Sequence, residues 1–228
     1  MKNTTPPAGR RSSALTHERV VGAAIDLLDA EGEGGLTFRA LAAALETGHG
    51  AIQWHVANKT ELLRAATSAT VSRAVGTRDS NAAPNEAIRA LALNVFDVMD
   101  AHPWLGRQLT GSPWQPSMLF LFELIGREIQ QICPRRETQF TAASAVLTYI
   151  IGAGGRETAN AQAPEATGDR LDLLDTMASF WENLNDEDYR FTRTMGEPLR
   201  THDDRDVFLA GVDLIVAGTM HDRAPAAV

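Results

Sequence analysis

Apolar residues recur along this chain at intervals of three and four and form no run of apolar–polar alternation. That period lines up side chains on one face of a helix, whereas strict alternation would mark a half-buried strand. β-branched residues are scattered rather than clustered, so the pattern predicts an all-α chain. The first amphipathic segment runs from a cap at Thr16 to about residue 30, with Val20, Val21, Ala24, Leu27 and Leu28 on one face, and stops at the glycine-rich stretch 31–35. Thr37 caps a short helix with Leu41 and Leu45 inward, Thr47 and Gly48 break it, and a third helix ends near Val56. Asn58, followed three residues later by Glu61, is a capping-box pattern that starts a fourth helix reaching to about residue 74.

Beyond Pro84 the same reading predicts six more helices, over about 84–101, a short one after His102-Pro103 to about 109, 115–132, 137–161, 169–184 and 203–220. Residues 185–202 read as irregular or partly helical. Residues 1–15, with Pro6, Pro7, Gly9 and paired serines, read as a disordered arm.

One stretch departs from simple amphipathy. Residues 46–63 read ETGHGAIQWHVANKTELL. A buried helix would place apolar residues here, and a plain surface helix would place Lys and Glu. Two short helices joined by a tight break, with a third behind them, make a helix-turn-helix. Its second helix can enter the major groove, where side chains must bond base edges and phosphates. His49, Gln53, Trp54 and His55 are such side chains, Ile52 is the inward anchor, and Gly48 and Gly50 admit close backbone approach. Asn58-Lys59 sets a cation and free backbone amides at the start of the next helix, where phosphate binds readily.

Charge sharpens this. The net charge is −8, which taken whole argues against nucleic acid, but residues 1–66 hold seven basic and seven acidic side chains, so the rest of the chain carries the entire excess. Lys2, Arg10 and Arg11 stand in an acid-free N-terminal arm. The single cysteine, Cys133, excludes an internal disulfide framework and fits a reducing compartment. No leader-like apolar segment opens the chain, and the longest apolar run, 118–125, contains Glu123 and is far short of the ~20 residues a membrane span needs. The expectation is a cytoplasmic protein with no membrane partner.

Catalytic signals are missing. No Ser/His/Asp order, metal-ligand spacing or phosphate loop is evident. Gly152-Ala153-Gly154-Gly155 lies inside a helical pattern with no strand before it. His202-Asp203-Asp204 reads as the cap and acidic first turn of the last helix. Neither enzyme, metal nor cofactor is expected.

The stretches GLTFRALAAAL and AIQWHVANKTELL resemble the tetracycline-repressor family of bacterial transcription regulators. Leu36, Thr37, Arg39, Leu41, Ala42, Ala51, His55, Val56, Asn58, Lys59 and Leu62 fall on the family pattern across residues 16–66, and HDDRDVFLAGVDLIVAG resembles the last helix of many members. Glu46 stands at the family's turn glycine, where a positive φ costs more for Glu. Gln53 replaces a tyrosine, and Thr47 replaces a core Val or Ile. The resemblance implies a basic arm over 1–15, a helix-turn-helix domain over 16–66 and a ligand-binding and dimerisation domain over 67–228.

It also implies residue roles. Arg10, Arg11, Thr37, Arg39, His49, Gln53, Trp54, His55 and Lys59 would contact a double-stranded operator. Ala142, Ala145 and Val146 of one helix, with Phe208, Gly211, Leu214 and Gly218 of the last, would form the homodimer face. Phe96, Met99, His102, Trp104, Trp114, Met118, Phe122, Tyr149, Phe180 and Trp181 would line a cavity for a small-molecule effector. The function expected is a repressor released from a palindromic operator by a small, mostly apolar molecule. Two rivals remain open: a regulator of this fold that binds a protein partner instead of DNA, and an all-helical enzyme.

Overall fold

A computed structural model describes residues 15–76, 81–111, 115–161 and 170–221. Among these residues there are twelve helices and no strand: α1 (His17–Gly35), α2 (Phe38–Ala44), α3 (His49–Gln53), α4 (Lys59–Val75), α5 (Pro84–Ala101), α6 (Trp104–Gly111), α7 (Pro116–Ile132), α8 (Arg136–Ala161), α9 (Arg170–Glu182), α10 (Asp186–Arg193), α11 (Gly196–Thr201) and α12 (Asp204–His221). The all-α expectation is borne out. Two compact units divide at Ala66 and Thr67, inside α4.

Caps set the starts in the first unit. Thr16 Oγ1 accepts from Arg19 N at 3.2 Å, and Thr37 Oγ1 accepts from Ala40 N at 3.1 Å. Asn58 Oδ1 accepts from Glu61 N at 2.9 Å, while the Glu61 carboxylate reaches back to Ala57 N at 2.7 Å, one residue before the usual capping-box partner. Gly32, at φ 66°, interrupts the end of α1 where the glycine-rich stretch predicts a stop. Val20, Leu28, Leu36, Leu41, Ile52 and Leu62 are each 2% exposed or less and make the small core.

In the second unit α5, α7, α8 and α12 pack around one another, and α6 lies on α8. Ile88, Val95, Ile125, Val146, Ile150 and Val212 are 1% exposed or less there. Met99 is fully buried over α8 because Gly154 leaves it room: a Cβ at Gly154 would stand 2.9 Å from Met99 Sδ, and one at Gly106 would stand 3.3 Å from Met99 Cε. The glycines of 152–155 therefore include a seat for a core methionine. Two ion pairs join α5 to α12: Arg89 with Asp213, and Arg205 Nη2 with Asp97 Oδ2 at 2.9 Å. Between them the Phe96 and Phe208 rings stack with centroids 4.6 Å apart.

Residues 185–202 are more ordered than their pattern suggests. Asn185 caps α10, α11 follows, and α11 packs on α9. Arg200 holds that pair together, with bonds to Glu182 Oε1 at 2.5 Å, Glu182 Oε2 at 3.0 Å and Asp175 Oδ1 at 2.8 Å. Gly196 is buried against the same carboxylate, which a Cβ there would overlap.

Candidate functional site

The turn between α2 and α3 sets the direction of α3. Glu46 takes φ 50° directly after the Leu45 cap, with Glu46 N bonded to Ala43 O at 3.2 Å and Thr47 N to Ala42 O at 3.0 Å. This paired closure is a Schellman motif. A left-handed residue usually supplied by glycine is thus kept in place with a glutamate.

α3 is five residues long and ends at Gln53, three residues before the end near Val56 that the sequence predicts. Ile52 is fully buried and Val56 is 1% exposed, so the apolar side of the segment faces the small core. His49 and Gln53 begin and end α3, share a face at a spacing of four, and are both exposed. Trp54 is 90% exposed, an unusual state for so large an apolar ring. His55 is half-buried just past the helix. The His49 ring lies against Phe38 of α2, centroids 5.2 Å apart and planes at 46°.

Thr37, Arg39 and Lys59 are all exposed. The Thr37 hydroxyl is engaged in capping α2. The Lys59 ammonium donates to the Glu33 carbonyl near the end of α1, which fixes where its charge sits. Arg10 and Arg11 lie outside the described residues.

The second unit treats the expected residues unevenly. Phe96 and Tyr149, with Ala153, His202, Asp204, Val207 and Phe208, line a cavity of about 70 Å³. A pocket for a whole drug-sized ligand is several times larger, so this space admits only a small group. At its polar side His202 Nδ1 lies 2.7 Å from Leu199 O and Nε2 lies 2.9 Å from Asp204 Oδ1, while Arg170 Nη2 meets Asp204 Oδ2 at 2.6 Å. The sequence pattern marks His202 only as a cap and Asp204 only as part of the acidic first turn of the last helix.

Other expected pocket residues do not converge on that cavity. Met99 is core, held in its glycine seat. Trp104 is 6% exposed and meets the half-buried His102 ring at 6.0 Å. Phe122 packs edge-on against Phe140 at 5.9 Å. Met118 and Trp181 are half-buried elsewhere, and Trp114 lies outside the described residues. Phe180 is corrected: at 65% exposure it points out of the protomer.

The dimer face is corrected too. Ala142, Val146 and Phe208 are 4%, 0% and 2% exposed within one protomer, so they fill its own core and cannot meet a partner. Gly211 is small for an internal reason, because a Cβ there would overlap the Tyr149 hydroxyl. Ala145, Leu214 and Gly218 do lie outside. They belong to exposed stripes at helical spacing, Thr141, Ala145, Thr148 and Gly152 on α8 and Val207, Ala210, Leu214 and Gly218 on α12.

No described helix is long and apolar enough to cross a membrane, and no group of three potential metal ligands occurs among the described residues. No protein-family model matches the chain. Its fold superposes on the transcriptional regulator SCO7222, a TetR from Streptomyces coelicolor, with 45% identity, a TM-score of 0.82, and coverage of 91% of this chain and 99% of that one. The chain belongs to the TetR family of transcriptional regulators. It is also 31% identical over 183 residues to the HTH-type transcriptional repressor DrrR1 of Streptomyces coeruleorubidus, and 28% identical over 149 residues to an HTH-type transcriptional regulator of Saccharopolyspora erythraea. Those matches cover 76% and 65% of this TetR-family chain, and 64% and 63% of the two relatives, less than two thirds of each.

Proposed function

We propose that this TetR-family chain is a dimeric DNA-binding repressor released from a palindromic operator by a small, mostly apolar molecule. One observation carries the reading: α3 is anchored by the buried Ile52 and turns His49, Gln53 and the almost fully exposed Trp54 outward. Exposing a tryptophan beside two hydrogen-bonding side chains is unfavourable for a free surface and suits one that meets base edges and phosphates. Membership of a regulator family supports the same reading, as does the name repressor carried by one relative.

One such unit makes few base contacts, and two related by a dyad read two half-sites about one helical turn apart. The exposed stripes of α8 and α12 are the surface through which two copies would pair, Leu214 at 76% exposure being its largest apolar side chain. The effector would enter the second unit, with the small cavity beside Phe96, Tyr149 and His202 taking one end of it. A ligand shifts the bound state only through its difference in affinity for the two conformations.

The test is selection of duplexes from a random pool by the purified protein, followed by a compound screen for release. Enrichment of a dyad-symmetric sequence, with at least one compound that frees it, is the expected result. Failure to enrich any sequence at low salt would refute the DNA reading.

A further inference from the structure

We propose that Phe38 is a positioning residue for sequence recognition: its ring holds the His49 imidazole in one orientation on the outward face of α3. This rests on the reading of α3 as the base-reading helix.

His49 is poorly placed to orient itself. It is the first residue of a five-residue helix whose N-cap, Gly48, offers no side chain, and it is exposed. An exposed imidazole in that position samples several rotamers, and only some of them aim a ring nitrogen at a given base edge. Binding then has to immobilise it, which erodes the advantage of the correct base over the wrong one.

Phe38 supplies the missing constraint from another element. It opens α2, directly after the Thr37 cap, and Leu41 one turn on is fully buried, so its backbone is fixed at both ends of the turn. The ring centroids lie 5.2 Å apart with a tilt of 46°, inside the range where aromatic pairs attract. Phe38 has no hydrogen-bonding group, so this contact leaves the His49 nitrogens to a base. Phe38 is itself half-buried and carries no hydrogen-bonding group that could read DNA. Its effect on specificity therefore passes through His49.

The experiment is a double-mutant cycle read as sequence preference. Wild type, Phe38→Ala, Phe38→Tyr, His49→Ala and Phe38→Ala/His49→Ala are each equilibrated with a pool of operator variants drawn from the selected consensus. Melting curves confirm folding of each variant. His49→Ala identifies the base position that the imidazole reads. Phe38→Ala is expected to lower discrimination at that one position by about 10-fold, to leave affinity for unrelated duplex within about twofold, and to add nothing in the His49→Ala background. Phe38→Tyr, which keeps a ring against the imidazole, is expected to retain the wild-type preference.

A uniform loss of affinity in Phe38→Ala, or an equal loss with and without His49, would overturn the proposal. So would a His49→Ala variant with unchanged preference, an outcome that leaves DNA binding itself intact. A wild-type protein that binds no duplex at all refutes instead the reading on which the proposal rests.

Discussion

Gly211 of α12 faces the Tyr149 hydroxyl of α8, and no side chain can be added at 211 without meeting it. The same hydroxyl donates to the Phe208 carbonyl at 3.2 Å, less than one turn earlier on α12, so a single ring both spaces and ties the two helices. A residue that looks like part of a smooth outer face is a fitted part of the interior. Gly211→Ala is therefore expected to lower stability by about 1–3 kcal/mol through overpacking, seen as a shift in the urea midpoint. Gly218 has nothing within 4 Å of its would-be Cβ. Gly218→Trp is expected to fold normally and to give monomers by light scattering, and a persistent dimer would move the proposed interface off α12.

Lys59 stands exposed at the first position of α4 with its ammonium on the Glu33 carbonyl. If it neutralises a phosphate, Lys59→Ala weakens binding to all sequences alike and reduces the slope of log affinity against log salt by about one unit. Titrations at four salt concentrations measure this. A changed sequence preference with an unchanged slope would assign Lys59 to base reading.

Glu46 holds a left-handed conformation that is costly for a residue with a Cβ. Glu46→Gly removes that cost but adds freedom to the unfolded chain, and the balance is expected to favour the variant by up to about 1 kcal/mol. Chemical denaturation reads the gain. A loss of stability would mean that the glutamate side chain makes a compensating contact.

Arg200 sets the pH response of the contact between α9 and α11. Its hydrogen bond to Glu182 holds that carboxyl below the ordinary 4.5. A carboxyl with a depressed folded-state pKa stabilises fully above its unfolded value and loses that contribution as pH falls through the folded one. Wild type and Arg200→Ala should therefore differ in Tm by a constant amount near neutrality and converge as pH drops below 4.5. A difference independent of pH down to strong acid would assign the effect of Arg200 to packing alone.

Which parts of this were readable in advance follows from how local their causes are. The caps at Thr16, Thr37 and Asn58 depend on residues three or four positions away, and each is where the sequence puts it. Asn185 followed by three acids is an equally local start signal for α10, whereas α11 is held by Arg200 reaching back 18 and 25 residues to α9. The face of α8 was not legible because small or apolar residues occupy nearly every position from Ala142 to Gly155 except Thr148, which leaves no contrast from which to tell inside from outside. Burial decided it instead, taking Ala142 and Val146 inward and leaving Ala145 out. The expected pocket residues also did not gather in one space: the cavity is built by side chains from α5, α8 and α12 and by His202, which closes α11, and two of its walls are His202 and Asp204. Such a meeting has no periodic signature.

The two ion pairs that join α5 and α12 repeat at the same interval on both helices, eight residues from Arg89 to Asp97 and eight from Arg205 to Asp213. Substitutions on the outer stripe of α12 leave that spacing untouched. Inserting or deleting one residue between 205 and 213 rotates everything beyond it by about 100°, which separates Asp213 from Arg89 and turns Val216 away from the core, its place taken by Ile215 after an insertion and by Ala217 after a deletion. Descendants of this sequence can therefore change the chemistry of the α12 surface by point substitution, while a change in helix length between those charges is closed to them.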